Sequence, residues 1–204
     1  MKDKRQQIIK QSALLFHQYG IKSVSMDDIA RELGMSKKTL YHFIKDKNDL
    51  VESVVEFNLQ LYSDFLSAFH DLKSNAIEQF YLYTSKIKEH FPKYNPSMLY
   101  DLRKYYPLLL NTILDKRQKL IYNATYANLE KGKKEGFYQP DIQSDIISKL
   151  QVANQNYTMD PSNGLFTDAE LGDHKVLEQL FKYHFRGICT PEGIKELKRV
   201  FNFK

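Results

Sequence analysis

The chain has 204 residues, 42% apolar and 27% charged with the signs well mixed, which provides for a core under a soluble surface and excludes an intrinsically disordered chain. No stretch approaches the ~18–20 uncharged apolar residues that cross a bilayer, and Met1-Lys2-Asp3-Lys4-Arg5-Gln6-Gln7 does not lead into a signal peptide's apolar region, so a cytoplasmic protein without a membrane partner is expected. The net charge of +5 is concentrated: residues 1–50 hold ten Lys/Arg against six Asp/Glu, the remainder twenty against nineteen.

A basic module joined to a near-neutral one fits an anionic polymer bound at one end. On charge alone, an ordinary solvated face fits equally well. The single cysteine, Cys189, can form no intramolecular disulfide.

Residues 3–19 place Ile9, Ala13, Phe16 and Tyr19 at spacings of three and four, which predicts an amphipathic helix with Gly20 as its left-handed cap. Ser25-Met26-Asp27-Asp28 reads as a capping box opening a helix over 26–33 that buries Ile29, Ala30 and Leu33. Gly34 ends it, Ser36 caps again, and Lys37 to Phe43 makes a helix of barely two turns. Asp46, with Asp49 three residues on, starts a long helix from Lys47 to about Phe69 that shows Leu50, Val54, Phe57 and Leu61 on one side.

Further helical segments are expected near 75–90, 97–104, 107–134, 142–157 and 174–187, with prolines at or near their boundaries. A mobile loop is expected over 158–173. No alternating strand pattern occurs, so the fold class is all-α, a small N-terminal helix-turn-helix domain (1–48) before a larger helical domain (49–204).

The two helices joined through Gly34-Met35-Ser36 have the helix-turn-helix form, whose second helix enters the major groove. Gly34 permits the reversal, Ala30 lets the helices approach, and Leu33 and Leu40 fix their angle. Lys37, Lys38, Thr39, Tyr41 and His42 face outward. Lysines can donate to guanine O6 and N7 or neutralise phosphates, Thr39 can meet a base edge or thymine methyl, and Tyr41 and His42 can donate to phosphates. Lys47 adds a free amine near a second phosphate track. Ser25, Met26 and Ser36, at the two helix starts, complete the set of expected DNA contacts.

These residues carry a resemblance. The stretch from about residue 5 to 52 resembles the DNA-binding domain of TetR-family (TetR/AcrR type) regulators, through Phe16-His17-Gln18-Tyr19-Gly20, Ile29-Ala30, Leu33-Gly34-Met35-Ser36, Leu40-Tyr41-His42-Phe43 and Lys47. Two positions depart: Ile44 stands where the family usually has an aromatic, and Lys38 where glycine is frequent. The resemblance implies an all-helical homodimeric repressor that reads a palindromic operator and releases it when a small molecule binds the C-terminal domain. It also implies that the segments near 142–157 and 174–187 form the dimerising helix pair.

Aromatic residues are dense between 80 and 126. A pocket lined by them would suit an apolar or aromatic effector, with Tyr100, Tyr122 and Tyr126 as its candidate residues, and ordinary core packing is the competing reading. The six histidines lack metal-ligand spacing, and His184 with Cys189 makes a poor catalytic pair, so no enzyme, metal or cofactor is expected. The alternative function is a constitutive or protein-partner-regulated architectural DNA binder without a small-molecule ligand.

Overall fold

The computed structural model describes residues 2–70, 73–90, 96–158, 164–167, 169–170 and 175–201. Ten helices are named here: α1 (Lys2–Tyr19), α2 (Met26–Glu32), α3 (Lys37–Phe43), α4 (Lys47–His70), α5 (Ala76–His90), α6 (Pro96–Tyr105), α7 (Pro107–Lys134), α8 (Ser144–Thr158), α9 (Lys175–Ile188) and α10 (Pro191–Phe201). Among the described residues the only extended pairing is an isolated antiparallel bridge between Tyr138 and Cys189. The protein is all-α. Most of the loop expected over 158–173 lies outside the described residues. Among those residues no helix is long and apolar enough to cross a membrane.

The short helices exist because their ends are satisfied. Ser25 Oγ accepts from the Asp28 amide at 3.1 Å while an Asp28 carboxylate oxygen accepts from the Ser25 amide at 2.9 Å, the reciprocal capping box. Ser36 Oγ accepts from the Thr39 amide at 3.0 Å, and Asp46 Oδ1 from the Asp49 amide at 2.9 Å. Gly34, at φ 61°, ends the helix-turn-helix's first arm in the left-handed region, where a Cβ would be strained.

The chain divides into two compact units, Met1–Ser63 with Asn95–Arg117, and Asp64–Tyr94 with Gln118–Lys204. The first is therefore larger than the reading head expected at 1–48. It includes α6 and the first part of α7. Its core joins Ile8, Ile9 and Phe16 of α1 to Ile29, Leu40, Ile44 and the α4 stripe Leu50, Val51, Val54 and Val55, with Leu102 and Leu110 alongside. Ile44, where the family usually has an aromatic, is 1% exposed, so the smaller side chain is fully packed.

The second unit packs Ala76, Ile77, Leu129, Phe185, Ile188 and Leu197 around Tyr138. The buried Tyr138 hydroxyl donates to Asn128 Oδ1 at 3.0 Å, and Asn128 Nδ2 donates to the Ala76 carbonyl at 2.9 Å. The segment after α7 is stitched to the α9–α10 turn, with the Gln139 amide on the Ile188 carbonyl and the Thr190 amide on the Phe137 carbonyl, both at 2.9 Å.

Candidate nucleic-acid interface and sensor cavity

Leu40 is the one buried residue of α3, and it is fully enclosed in the head's core. With Phe43 half-buried beside it, that anchor turns the other five residues of the helix outward: Lys37, Lys38, Thr39, Tyr41 and His42 are all exposed. Ser36 Oγ lies 2.8 Å from Thr39 Oγ1, which fixes the Thr39 hydroxyl beside the helix start. The His42 ring meets Phe43 edge-on at 5.2 Å. The whole is a short rod with cations, hydroxyls and two polar aromatics on one side, the inventory of a groove-reading helix.

Two contacts tune the cations. Lys37 Nζ pairs with Asp27 at 3.0 Å, and that hydrogen bond raises its pKa. An exposed pair of this kind is worth little, so DNA phosphates can take the lysine from it. Lys47 Nζ donates to the Val24 carbonyl at 2.6 Å, and so the amine expected to be free is engaged. Its pKa is lowered, first by partial burial and then by nearby Lys22, against the opposing pull of Asp101 and Asp28.

Asp101 was invisible to the sequence reading. From α6 it accepts the Lys22 backbone amide at 2.7 Å, and so it holds the turn between α1 and α2 from 79 residues away. Lys22 Nζ also sits 5.0 Å from the centre of the Tyr105 ring. A contact of that sequence separation leaves no local pattern to read.

The second unit contains a cavity of about 80 Å³. Helix α7 contributes Ile121, Ala124, Thr125, Asn128 and Leu129, which recur at helical spacing along one face, and α5 contributes Gln79, Phe80 and Tyr83. Leu66 of α4, Gln151 and Gln155 of α8, and Phe181, His184 and Phe185 of α9 close it. Phe80 is the hub of the aromatic wall, 3.9 Å from Phe185 and 4.8 Å from Phe181 between ring centres. The lining holds no Lys, Arg, Asp or Glu. Burial holds the His184 imidazole down at about 4, which leaves it neutral at ordinary pH.

Helix α8 is inverted in polarity. Its buried positions are Ser144, Ser148, Gln151 and Gln155, while Ile146 and Leu150 are exposed. Ser144 Oγ donates to Glu130 and Ser148 Oγ to the Ser144 carbonyl at 2.7 Å, which satisfies both hydroxyls. Gln151 Oε1 is buried with no hydrogen-bond partner.

A family profile described as "Bacterial regulatory proteins, tetR family" matches residues 8–54, which run from within α1 through α2 and α3 to the start of α4. Along almost its whole length the chain is 28% identical to YvaF of Bacillus subtilis (strain 168), an uncharacterized HTH-type transcriptional regulator, over 93% of this chain and 97% of that protein. The crystal structure of a TetR-family transcriptional regulator from Cytophaga hutchinsonii shares the fold, with a TM-score of 0.70 at 18% identity over 92% of this chain and 96% of that one. Residues 8–54 are a TetR-family DNA-binding domain, and the chain as a whole has the fold of such regulators. It is a DNA-binding transcriptional regulator. A gamma-butyrolactone receptor, described as an ArpA-like protein, also has the fold, with a TM-score of 0.62 at 14% identity over 98% of this chain and 95% of that one.

In this TetR-family domain, eight of the nine residues expected at DNA keep a side chain at or near the surface of the head: Ser25, Ser36, Lys37, Lys38, Thr39, Tyr41 and His42 exposed, and Lys47 half-buried. Met26 is the exception. Its side chain is packed in the head's core, so only its backbone at the start of α2 is left to face a phosphate. The three tyrosines expected at a pocket stand elsewhere. Tyr100, in the first unit, is exposed and accepts from Lys104 Nζ at 3.1 Å. Tyr122 donates to Asp145 at 2.8 Å and stacks on Tyr126, ring centres 6.0 Å apart. Both lie one residue along α7 from the cavity-lining positions 121 and 125, about 100° round the helix.

Proposed function

We propose that this TetR-family regulator is a cytoplasmic, homodimeric repressor that binds a palindromic operator and is released from it by a small molecule held in the second unit. The observation that carries the proposal is the pairing, in one chain, of an outward-facing reading helix with an aromatic-walled cavity whose buried glutamine has an unanswered acceptor. The fold likeness to a gamma-butyrolactone receptor adds to it, since that protein's description is of a receptor.

Dimerisation is supported by the apolar side chains left outside on α8 and α9. Ile146 is 47% exposed, Leu150 52% and Tyr183 81%, on the segments that the family resemblance makes the dimerising pair. Two heads held ~34–36 Å apart would read successive major grooves. The helices α4 and α7 are each continuous from one compact unit into the other, a covalent route by which an occupied cavity can bias the heads. The ligand acts by binding one head spacing better than the other, and a difference of a few kcal/mol changes operator occupancy by orders of magnitude.

The test is selection of genomic fragments by the purified protein, followed by light scattering on the free protein. A single enriched palindrome and a dimer of twice 24.1 kDa are expected. Binding without an enriched motif would favour an architectural role, and a clean monomer would remove the palindrome.

A further inference from the structure

The second-unit cavity has a chemical signature beyond being a cavity. We propose that it takes an uncharged, single-ring-sized apolar molecule that donates one hydrogen bond, from an O–H or N–H, to the Gln151 side-chain carbonyl. This assignment rests on the reading of the cavity as an effector site.

Charge is the first discriminator. No ionic side chain lines the cavity, and His184, the only titratable imidazole there, is held neutral by its burial. A carboxylate or ammonium entering would leave its hydration shell without a counter-ion to replace it, a large cost in an apolar site. The second discriminator is shape. The Phe80, Phe181 and Phe185 rings make edge and tilted contacts with one another, a wall on which a planar ring packs well. At about 80 Å³ the cavity is smaller than the ~150 Å³ that holds benzene, so one small ring is the upper bound and its entry needs the walls to give.

The polar element is Gln151. Its residue is 4% exposed, it lines the cavity, and its Oε1 meets no donor from the protein. Buried acceptors in native proteins are nearly always answered, and because Gln151 lines the cavity, an occupant is the donor nearest to hand once the side-chain amide turns towards it. The neighbouring Asn128 does not compete for the ligand, because both ends of its amide are already used by Ala76 and Tyr138. A hydroxyl also suits a carboxamide in either orientation, as donor to Oε1 or acceptor from Nε2.

Fluorine NMR titration of the whole chain without DNA tests this with two probes of matched size, p-fluorophenol and p-fluorotoluene, and a somewhat larger anion, p-fluorobenzoate. The expected result is that p-fluorophenol binds about tenfold tighter than p-fluorotoluene, the margin of one buried hydrogen bond, with p-fluorobenzoate weakest. Gln151→Met, which keeps the side chain's length but removes its amide, should erase or reverse the preference for the phenol. Equal binding of phenol and toluene probes to the wild type, tightest binding of the benzoate, a preference unchanged in Gln151→Met, or no binding at all would each overturn the assignment. Operator release is measured separately. A phenol probe that binds through Gln151 yet leaves the operator complex intact would sink the effector reading while the ligand class stands.

Discussion

Lys47 offers a prediction whose size can be worked out in advance. Its ammonium has three donors, and the Val24 carbonyl occupies one of them. Two remain for phosphate oxygens at the start of α4. Each phosphate neutralised steepens the log–log dependence of affinity on salt by about 0.9. A dimer carrying Lys47→Ala in both heads should therefore show a slope shallower by about 1.8. Between ~50 and ~200 mM salt, wild type should lose about twelvefold more affinity than the variant. Fluorescence anisotropy with the selected operator and with scrambled duplex, across that range, is the assay. The weakening should be similar on both duplexes, because phosphate contacts position the protein without reading sequence. Loss of the Val24 bond should also lower the melting temperature slightly, by about 2–4 °C if it is worth ~1 kcal/mol. A melting shift with an unchanged salt slope would show that Lys47 only ties the head together, and the reasoning here would be refuted.

Glycine to alanine within a helix ordinarily stabilises by ~1 kcal/mol, and Gly187→Ala in α9, where a new Cβ meets nothing, should do so. Gly193→Ala in α10 should have the opposite sign, because its Cβ would overlap the Phe137 carbonyl, a backbone atom that cannot swing aside. A loss of about 1–3 kcal/mol in urea unfolding is expected, and a Gly193→Ala protein as stable as wild type would show the α7–α10 stitch to be looser than described. Acid should destabilise the second unit through His184. Its pKa falls from 6.5 to about 4 on folding, so between those values the unfolded chain takes up a proton that the native one refuses. Stability should fall as pH drops from 6.5 towards 4, and His184→Gln should flatten that dependence in denaturant titrations. A parallel pH profile in the variant would assign the acid sensitivity elsewhere. Cys189 is buried, and burial pushes its thiol up to about 12, so it should resist thiol reagents at pH 8 until the protein unfolds; rapid native-state labelling would contradict its placement.

The head was readable in the sequence because its determinants are local. Ser25 and Asp28, Ser36 and Thr39, and Asp46 and Asp49 cap their own helices within three residues, and Gly34 marks the turn between the first two. The same locality exposed the outward face of α3, since one buried leucine fixes which side is out. Contacts across long separations were not readable. Asp101 reaches Lys22 over 79 residues, and Lys47 finds a carbonyl where an unoccupied amine was expected.

The cavity was misjudged for a different reason. Tyrosine suggests a pocket by its chemistry, yet a shift of one residue along α7 turns Tyr122 and Tyr126 off the face that Ile121 and Thr125 present. Apolar periodicity also misleads on α8, where the glutamines are buried and Ile146 and Leu150 are exposed. That inversion puts Gln151 and Gln155 on the cavity and Ile146 and Leu150 on the outside, and neither placement is visible in the chain's hydropathy.

The most direct test of the account is footprinting of the purified protein on its selected genomic fragment, with and without the small molecule that binds the cavity. The account predicts two protected half-sites related by a dyad, one helical turn or a multiple of it apart, with protection lost from both together when the ligand is added. Protection of a single half-site, or a footprint that persists with the cavity filled, would contradict a ligand-responsive dimer.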